Sequence, residues 1–378
     1  MQPLSIRSVR NQFLGTGGGI MRIIPLFVAD IADARIRGML GSLLPVCLNF
    51  GTVLAFILGS FVSFGTFPLV VLALPALFTL ATLFLPETPA CLLRAYRNVR
   101  AERSLMFYRG VRGHFEKPGS FRDEFQQLKD TVEREKTAPD AGLTWKDFVT
   151  KPARRGLAMA VFLMLLNQCS GTLALITYAS SIFELASPPT TTTEPLLPAS
   201  LASIVLATVQ LLGTVISLAL IDRIGRKILL IVSCLGMAIG YLTLAGYVQL
   251  LLPSSTAPAS PIHFLPICSL SFSILLASIG LLTVPFIVMA EVLPSKIRNF
   301  GSTISVTIVA FSAFVLLKAF PILLDTVGLP GTMGGLAGVC LLGATVVIIF
   351  LPETRGKSLF QDDQETGPNA ANGSATAT

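Results

Sequence analysis

Residues 29–37 read Ala-Asp-Ile-Ala-Asp-Ala-Arg-Ile-Arg, and residues 290–298 read Ala-Glu-Val-Leu-Pro-Ser-Lys-Ile-Arg. Both fit one pattern, A-[DE]-[IV]-x-x-x-[RK]-I-R, at an offset of 261 residues. A second pair follows in the same order: Phe84-Leu85-Pro86-Glu87-Thr88 and Phe350-Leu351-Pro352-Glu353-Thr354, offset by 266. Two matched pairs at nearly one offset identify an internal duplication.

The ground between these cassettes is apolar. Of 378 residues, 52% are hydrophobic and 13% charged, against roughly 25% charged in soluble domains. With a mean hydropathy of +0.73, too little polar residue remains to cover a soluble core, so the excess must face lipid. A run of about 20 apolar residues crosses a bilayer. Nine such runs are readable, at 11–29, 43–65, 67–85, 156–185, 199–221, 228–251, 266–290, 301–324 and 333–351. The second and third part at a turn around Gly65 and Thr66. Pro45, Pro75 and Pro285 fall inside runs, where packed membrane helices tolerate proline. The expected fold class is all-α, a polytopic bundle of two homologous halves, the repeat architecture of secondary carriers.

Basic residues orient the bundle. The segments after runs one, three, five, seven and nine hold 24 of the 28 Lys and Arg, and those after two, four, six and eight hold none. The positive-inside rule places the first set, and the C-terminus, in the cytoplasm. That asymmetry accounts for the pI of about 9.3 without a nucleic-acid partner. Six scattered cysteines form no C-x-x-C pair, and His114 and His263 stand apart. No metal centre, cofactor or catalytic triad is expected from them, and no enzyme.

Four segments follow: 1–85, an incomplete first half of three spans; 86–155, a polar cytoplasmic loop with helical stretches; 156–351, a second half of six spans; and 352–378, a cytoplasmic tail with no periodicity, expected to be disordered. In the second half 135 residues separate Gly156 from Glu291, but only 29 precede Asp30. The first half is short by about 106 residues, three spans, so about nine of twelve spans are expected in this chain.

An ordered set of motifs resembles the sugar-porter family of the major facilitator superfamily, its insect facilitated trehalose transporters most of all. The set comprises the Gly15–Gly19 span, Asp30 with Arg37, Pro86-Glu87-Thr88-Pro89, Gln168 with Ser170-Gly171, Asp222 to Lys227, Glu291 with Arg298, and Pro352 to Lys357. The resemblance implies a multi-pass transporter, expected at the plasma membrane, moving a hexose or trehalose-like sugar by alternating access. The open alternative is a non-transporting or truncated paralogue. Expected partners are the sugar and membrane lipid.

Carried over residue by residue, the substrate-binding positions are Asn167, Gln168, Ser170, Gln210 and Phe286. Gln168 can equally be a polar contact between helices. The expected amides are replaced by Pro45, Leu173 and Val309, Asn167 stands for a Gln, and Phe286 stands where many members have Trp. The cytoplasmic gate is expected in the helix-end charges Asp30, Arg37, Glu87, Asp222, Arg223, Arg226, Glu291, Arg298, Glu353 and Arg355. Carboxylate–guanidinium pairs there tie the halves on the inner side and break when it opens. Anchoring at lipid headgroups is the other reading of the same charges. Residues 86–155 are implied to form a small helical bundle; a solvated basic linker near anionic lipid is the alternative.

Overall fold

The structure, a computed structural model, describes residues 27, 31, 37–63, 65–110, 119–137, 148, 150–186, 198–251, 264–293 and 297–351. Every regular element among them is helical: α1 (Arg37–Phe61), α2 (Phe67–Thr82), α3 (Pro89–Arg94), α4 (Asn98–Arg109), α5 (Gly119–Thr137), α6 (Lys151–Cys169), α7 (Thr172–Thr177), α8 (Ala179–Leu185), α9 (Ala199–Ile224), α10 (Arg226–Gly246), α11 (Leu265–Ile279), α12 (Val284–Val292) and α13 (Arg298–Phe350). Six stretches are long and apolar enough to cross a bilayer: Leu43–Phe61, Ala153–Thr177, Ser200–Ile221, Arg226–Leu250, Leu265–Met289 and Phe300–Phe350. Eight of the nine expected runs fall on described helices. The first, 11–29, lies outside the described residues.

Two compact units divide the chain, Met1–Cys47 with Val62–Gly142, and Leu48–Phe61 with Leu143–Thr378. In the first unit, α2 has 16 residues and no buried one. At 1.5 Å per residue it spans about 24 Å, short of the ~30 Å hydrocarbon layer. The polar bundle after it starts at Thr88, whose hydroxyl accepts from Cys91 N at 3.4 Å with Pro89 in the first turn. This is the N-cap and N1-proline pairing that opens helices. Phe121, Phe125, Leu128 and Val132 recur at helical spacing along α5. They face Leu92, Leu93, Ala101, Leu105 and Met106. Ser104 Oγ donates to Glu87 O at 2.5 Å and Tyr108 OH to Pro86 O at 2.6 Å, stitching α4 to the end of the third apolar run. Burial pushes the Tyr108 phenol up from its ordinary value, which keeps it a neutral donor. Arg109 holds Glu124 through a bidentate ion pair and reaches Ile31 O at 2.9 Å.

The second unit is built on a large apolar core that includes Leu163, Leu175, Ile182, Leu230, Met237 and Phe320, with a smaller one around Met164, Met289 and Leu293. Its helices approach closely where glycine replaces a side chain. A Cβ on Gly240 would lie 2.0 Å from Ser273 Oγ and 2.8 Å from Ser269 O; one on Gly236 would lie 1.9 Å from Leu276 Cδ1. Gly236 and Gly240, four residues apart on α10, thus let α11 sit backbone against backbone. Lys227 Nζ donates to Ile348 O at 2.8 Å, a cation on the orphan carbonyls of a helix C-terminus. The expected eighth and ninth runs are two helices within Arg298–Phe350 (α13), parted by a kink at Gly328, where φ is 75° and ψ 171°. Residues 325–332 hold one charge, Asp325, and little else that would draw the backbone into water, so the second helix starts directly after the kink.

Candidate functional site

Two apolar runs that the sequence presents as continuous are interrupted. The run 156–185 stops as α6 at Cys169 and restarts as α7 at Thr172; Gly171 between them has φ +81°, and a Cβ there would meet Leu336 Cδ1 at 2.6 Å. Only glycine fits that backbone and that space. The run 266–290 stops as α11 at Ile279 and restarts as α12 at Val284. Gly280 in this gap would set a Cβ 2.5 Å from Leu229 O. Both expected spans are present at bilayer length, and each carries a local break that glycine and proline inside an apolar run do not by themselves locate.

Broken helices leave main-chain groups that lipid cannot satisfy, so neighbouring side chains must. At the first break, Ser170 Oγ donates to Asn167 O at 2.8 Å and lies 3.2 Å from Thr172 Oγ1, while Tyr241 OH donates to Ser170 O at 3.0 Å. At the second, Ser217 Oγ donates to Ile279 O at 2.7 Å. Ser233 Oγ donates to Leu276 O at 2.7 Å and accepts from Leu281 N at 3.1 Å.

Two amide relays grow from this scaffold. Leu281 O takes the Asn167 Nδ2 proton at 2.6 Å, so Asn167 presents its oxygen on the other side. Gln168 Nε2 donates to that oxygen at 3.0 Å, which turns Gln168 Oε1 outward from the relay. The second relay has the same logic. Thr214 Oγ1 donates to Gln210 O at 3.0 Å and accepts from Asn49 Nδ2 at 2.6 Å. Asn49 Oδ1 then accepts from Gln210 Nε2 at 2.9 Å, leaving Gln210 Oε1. Both terminal carbonyl oxygens are buried with no protein partner. A buried acceptor left unpaired costs about 1–3 kcal/mol. Gln168 and Gln210 are 8% and 7% exposed, so bulk water satisfies neither in the closed packing. Each relay ends in a carbonyl oxygen held in place by the hydrogen bonds behind it.

The other expected site residues fall as follows. Asn167 is the inner link of the first relay. Ser170 is fully buried, with its hydroxyl committed to the break. Phe286, on α12, is 41% exposed, leaving a ring face open. Val309, where an amide was looked for, packs instead beside Met164, Met289 and Leu293. Leu173 is 36% exposed. Asn49 did not figure in the sequence reading, because its partners lie 161 and 165 residues away.

Of the expected gate residues, Arg223 is exposed and Arg226 half-buried. Glu87 belongs to the other unit, where it lines an open cavity of about 520 Å³ with Leu83, Phe84, Arg100 and Arg103. The side chains of Arg37, Asp222, Glu291 and Arg298 lie outside the description, as do Asp30, Glu353 and Arg355 entirely. Among the described residues no group of three or more His, Cys, Asp or Glu could hold a metal ion.

Known proteins of similar sequence and fold complete the picture. The sequence model of the Sugar (and other) transporter family matches residues 14–365. The facilitated trehalose transporter Tret1 of Bombyx mori is 30% identical over 342 residues, covering 90% of this chain and 64% of that protein. Tret1 of Aedes aegypti is 29% identical over 340 residues, covering 89% and 40%. The chain thus spans less than two-thirds of the length of these relatives. Among solved structures, the inward-open xylose transporter XylE from E. coli gives a TM-score of 0.68 at 22% identity, covering 90% of this chain and 68% of that one. The proton:xylose symporter XylE bound to 6-bromo-6-deoxy-D-glucose gives 0.61 at 22%, covering 89% and 68%. These two likenesses are of fold.

Proposed function

The chain belongs to the Sugar (and other) transporter family, and from that premise we propose that it carries a hexose or trehalose-like sugar by alternating access. It is an integral multi-pass membrane protein of the major-facilitator fold. The observation that carries the proposal is the pair of orphaned acceptors, Gln168 Oε1 and Gln210 Oε1. A sugar is a compact array of hydroxyl donors, and a site built to hydrogen-bond them discriminates strongly against ligands that lack them. Asn167 holds Gln168, and the exposed ring of Phe286 offers an apolar face to the sugar. No covalent step is required: differential binding to inward-open and outward-open states suffices.

A second reading has its own support. The amides absent at Pro45, Leu173 and Val309 leave a site with few hydrogen bonds, which suits a non-transporting relative. One experiment separates the two. The purified chain is reconstituted in liposomes preloaded with glucose, xylose or trehalose, and entry of the labelled sugar by counterflow is followed. Saturable exchange with at least one of the three is expected of a carrier. Entry no faster than into empty liposomes overturns the carrier reading.

The inner gate is proposed at the helix-end charges Asp30, Arg37, Glu87, Asp222, Arg223, Arg226, Glu291, Arg298, Glu353 and Arg355. Its support is their recurrence in both copies of the repeat and the basic bias of the loops that bear them. That bias also supports a cytoplasmic C-terminus. Glu291→Gln removes one charge of this set and is expected to favour the inward-open state. Cysteines placed near the cytoplasmic ends of α6 and α12 should then react several-fold faster with a polar thiol reagent from that side. Unchanged labelling at normal expression leaves these charges as headgroup anchors.

A further inference from the structure

We propose that Asn49 is the positioning residue of the sugar site, setting the direction of the Gln210 carbonyl and hence which hydroxyl the sugar must present there. The inference rests on the sugar-carrier reading and extends it to a residue outside the positions carried over from the family resemblance.

A side-chain amide can turn end for end, and two amides in contact have two self-consistent arrangements. Here the choice is forced from the backbone. Thr214 lies four residues after Gln210 on α9, and its hydroxyl proton goes to the Gln210 main-chain oxygen at 3.0 Å. The threonine oxygen is then an acceptor only, so Asn49 must turn its NH2 group to it, at 2.6 Å. That leaves Asn49 Oδ1 facing Gln210, which must answer with Nε2, at 2.9 Å. The last free atom of the loop is Gln210 Oε1, buried and without a protein partner. With Asn49 removed, Gln210 is released to present either end of its amide. The site then loses its fixed acceptor, because an Nε2 donor can stand where the carbonyl stood. A fixed acceptor recognises a hydroxyl proton; a rotating amide recognises hydroxyls indifferently and binds each more weakly.

A general loss of packing would weaken every sugar alike, whereas loss of one oriented acceptor weakens only sugars that use it. The test therefore pairs protein variants with deoxy analogues. Wild type, Asn49→Ala and Thr214→Val are purified in lipid nanodiscs, and affinity is measured for glucose, xylose and trehalose. Monodeoxy analogues of the tightest binder follow. The expected result is a fall of about 10-fold for the parent sugar on Asn49→Ala. One monodeoxy analogue, lacking the hydroxyl that Gln210 receives, should bind wild type and variant equally within about twofold. Thr214→Val frees Asn49 to turn, and should single out the same analogue with a smaller fall; it carries the test should Asn49→Ala not purify as a monodisperse protein. An equal fall across all analogues, or no fall, overturns the role of Asn49 while the sugar site stands. Wild type that binds none of the three sugars overturns the carrier reading itself, and the inference with it.

Discussion

Replacing Gln168 by leucine is expected to weaken sugar binding by about 5- to 150-fold, and Gln210→Leu is expected to do the same. The range follows from about 1–3 kcal/mol for leaving one polar partner unmatched in a buried site, at 1.4 kcal/mol per tenfold. Leucine keeps the side-chain volume close but offers the sugar hydroxyl nothing to donate to. It also strips the Asn167 or Asn49 oxygen of the donor it now has at 3.0 or 2.9 Å. The Asn167 and Asn49 nitrogens keep their other partners, so the fold should survive both changes. Equilibrium binding to purified, monodisperse variants measures the effect. Losses below twofold at both positions would mean that neither carbonyl touches the ligand, and that Gln168 is the polar contact between helices which the sequence equally allowed.

The second large effect is structural. Gly240→Leu is expected to abolish the folded second unit, because α10 and α11 meet there with no room for a side chain. A Cβ alone would stand 2.0 Å from Ser273 Oγ and 2.8 Å from the Ser269 main-chain oxygen. The serine cannot swing aside freely, since its hydroxyl is bonded to Ser269 O at 2.9 Å. Separating the helices would also pull Ser233 from Leu276 O and Leu281 N, the bonds that satisfy the second helix break. Overpacking of this kind costs about 3 kcal/mol or more, and here it removes polar satisfaction as well. Size-exclusion of the solubilised variant should show loss of the monodisperse peak. Gly334→Ala, where a Cβ meets nothing within 4 Å, should leave the peak unchanged.

Much of this architecture was legible in the residues. Apolar runs of bilayer length give the helices because a single segment of about 20 residues in lipid satisfies its own backbone only as a helix. The turn expected at Gly65 and Thr66 is present, closed by Thr66 N on Ser63 O at 3.0 Å. The paired cassettes pointed to a duplicated carrier, and Asn167, Gln168 and Gln210 stood out as amides in an apolar setting. Other features depended on pairings that no periodicity encodes. Asn49 lies four residues beyond Pro45, the position where an amide was sought, and its meaning comes from partners more than 160 residues on. Ser217 and Ser233 read as small interfacial residues, yet they carry the main-chain groups of a broken helix. Gly236 and Gly240 did carry a visible signal, the four-residue glycine spacing of close helix contacts, which went unread among 31 glycines. The last two runs are separate helices, as expected, and what parts them is local: Gly328 at φ 75° and ψ 171°, with Pro330 two residues on.

A structure of the chain with its tightest-binding sugar decides most directly whether the two orphaned carbonyls are a sugar site. Ring hydroxyl oxygens are expected within about 3.2 Å of both Gln168 Oε1 and Gln210 Oε1, with the Asn167 and Asn49 contacts behind them unchanged. Sugar bound away from both carbonyls, or water alone on each of them beside a bound sugar, would contradict the proposed site.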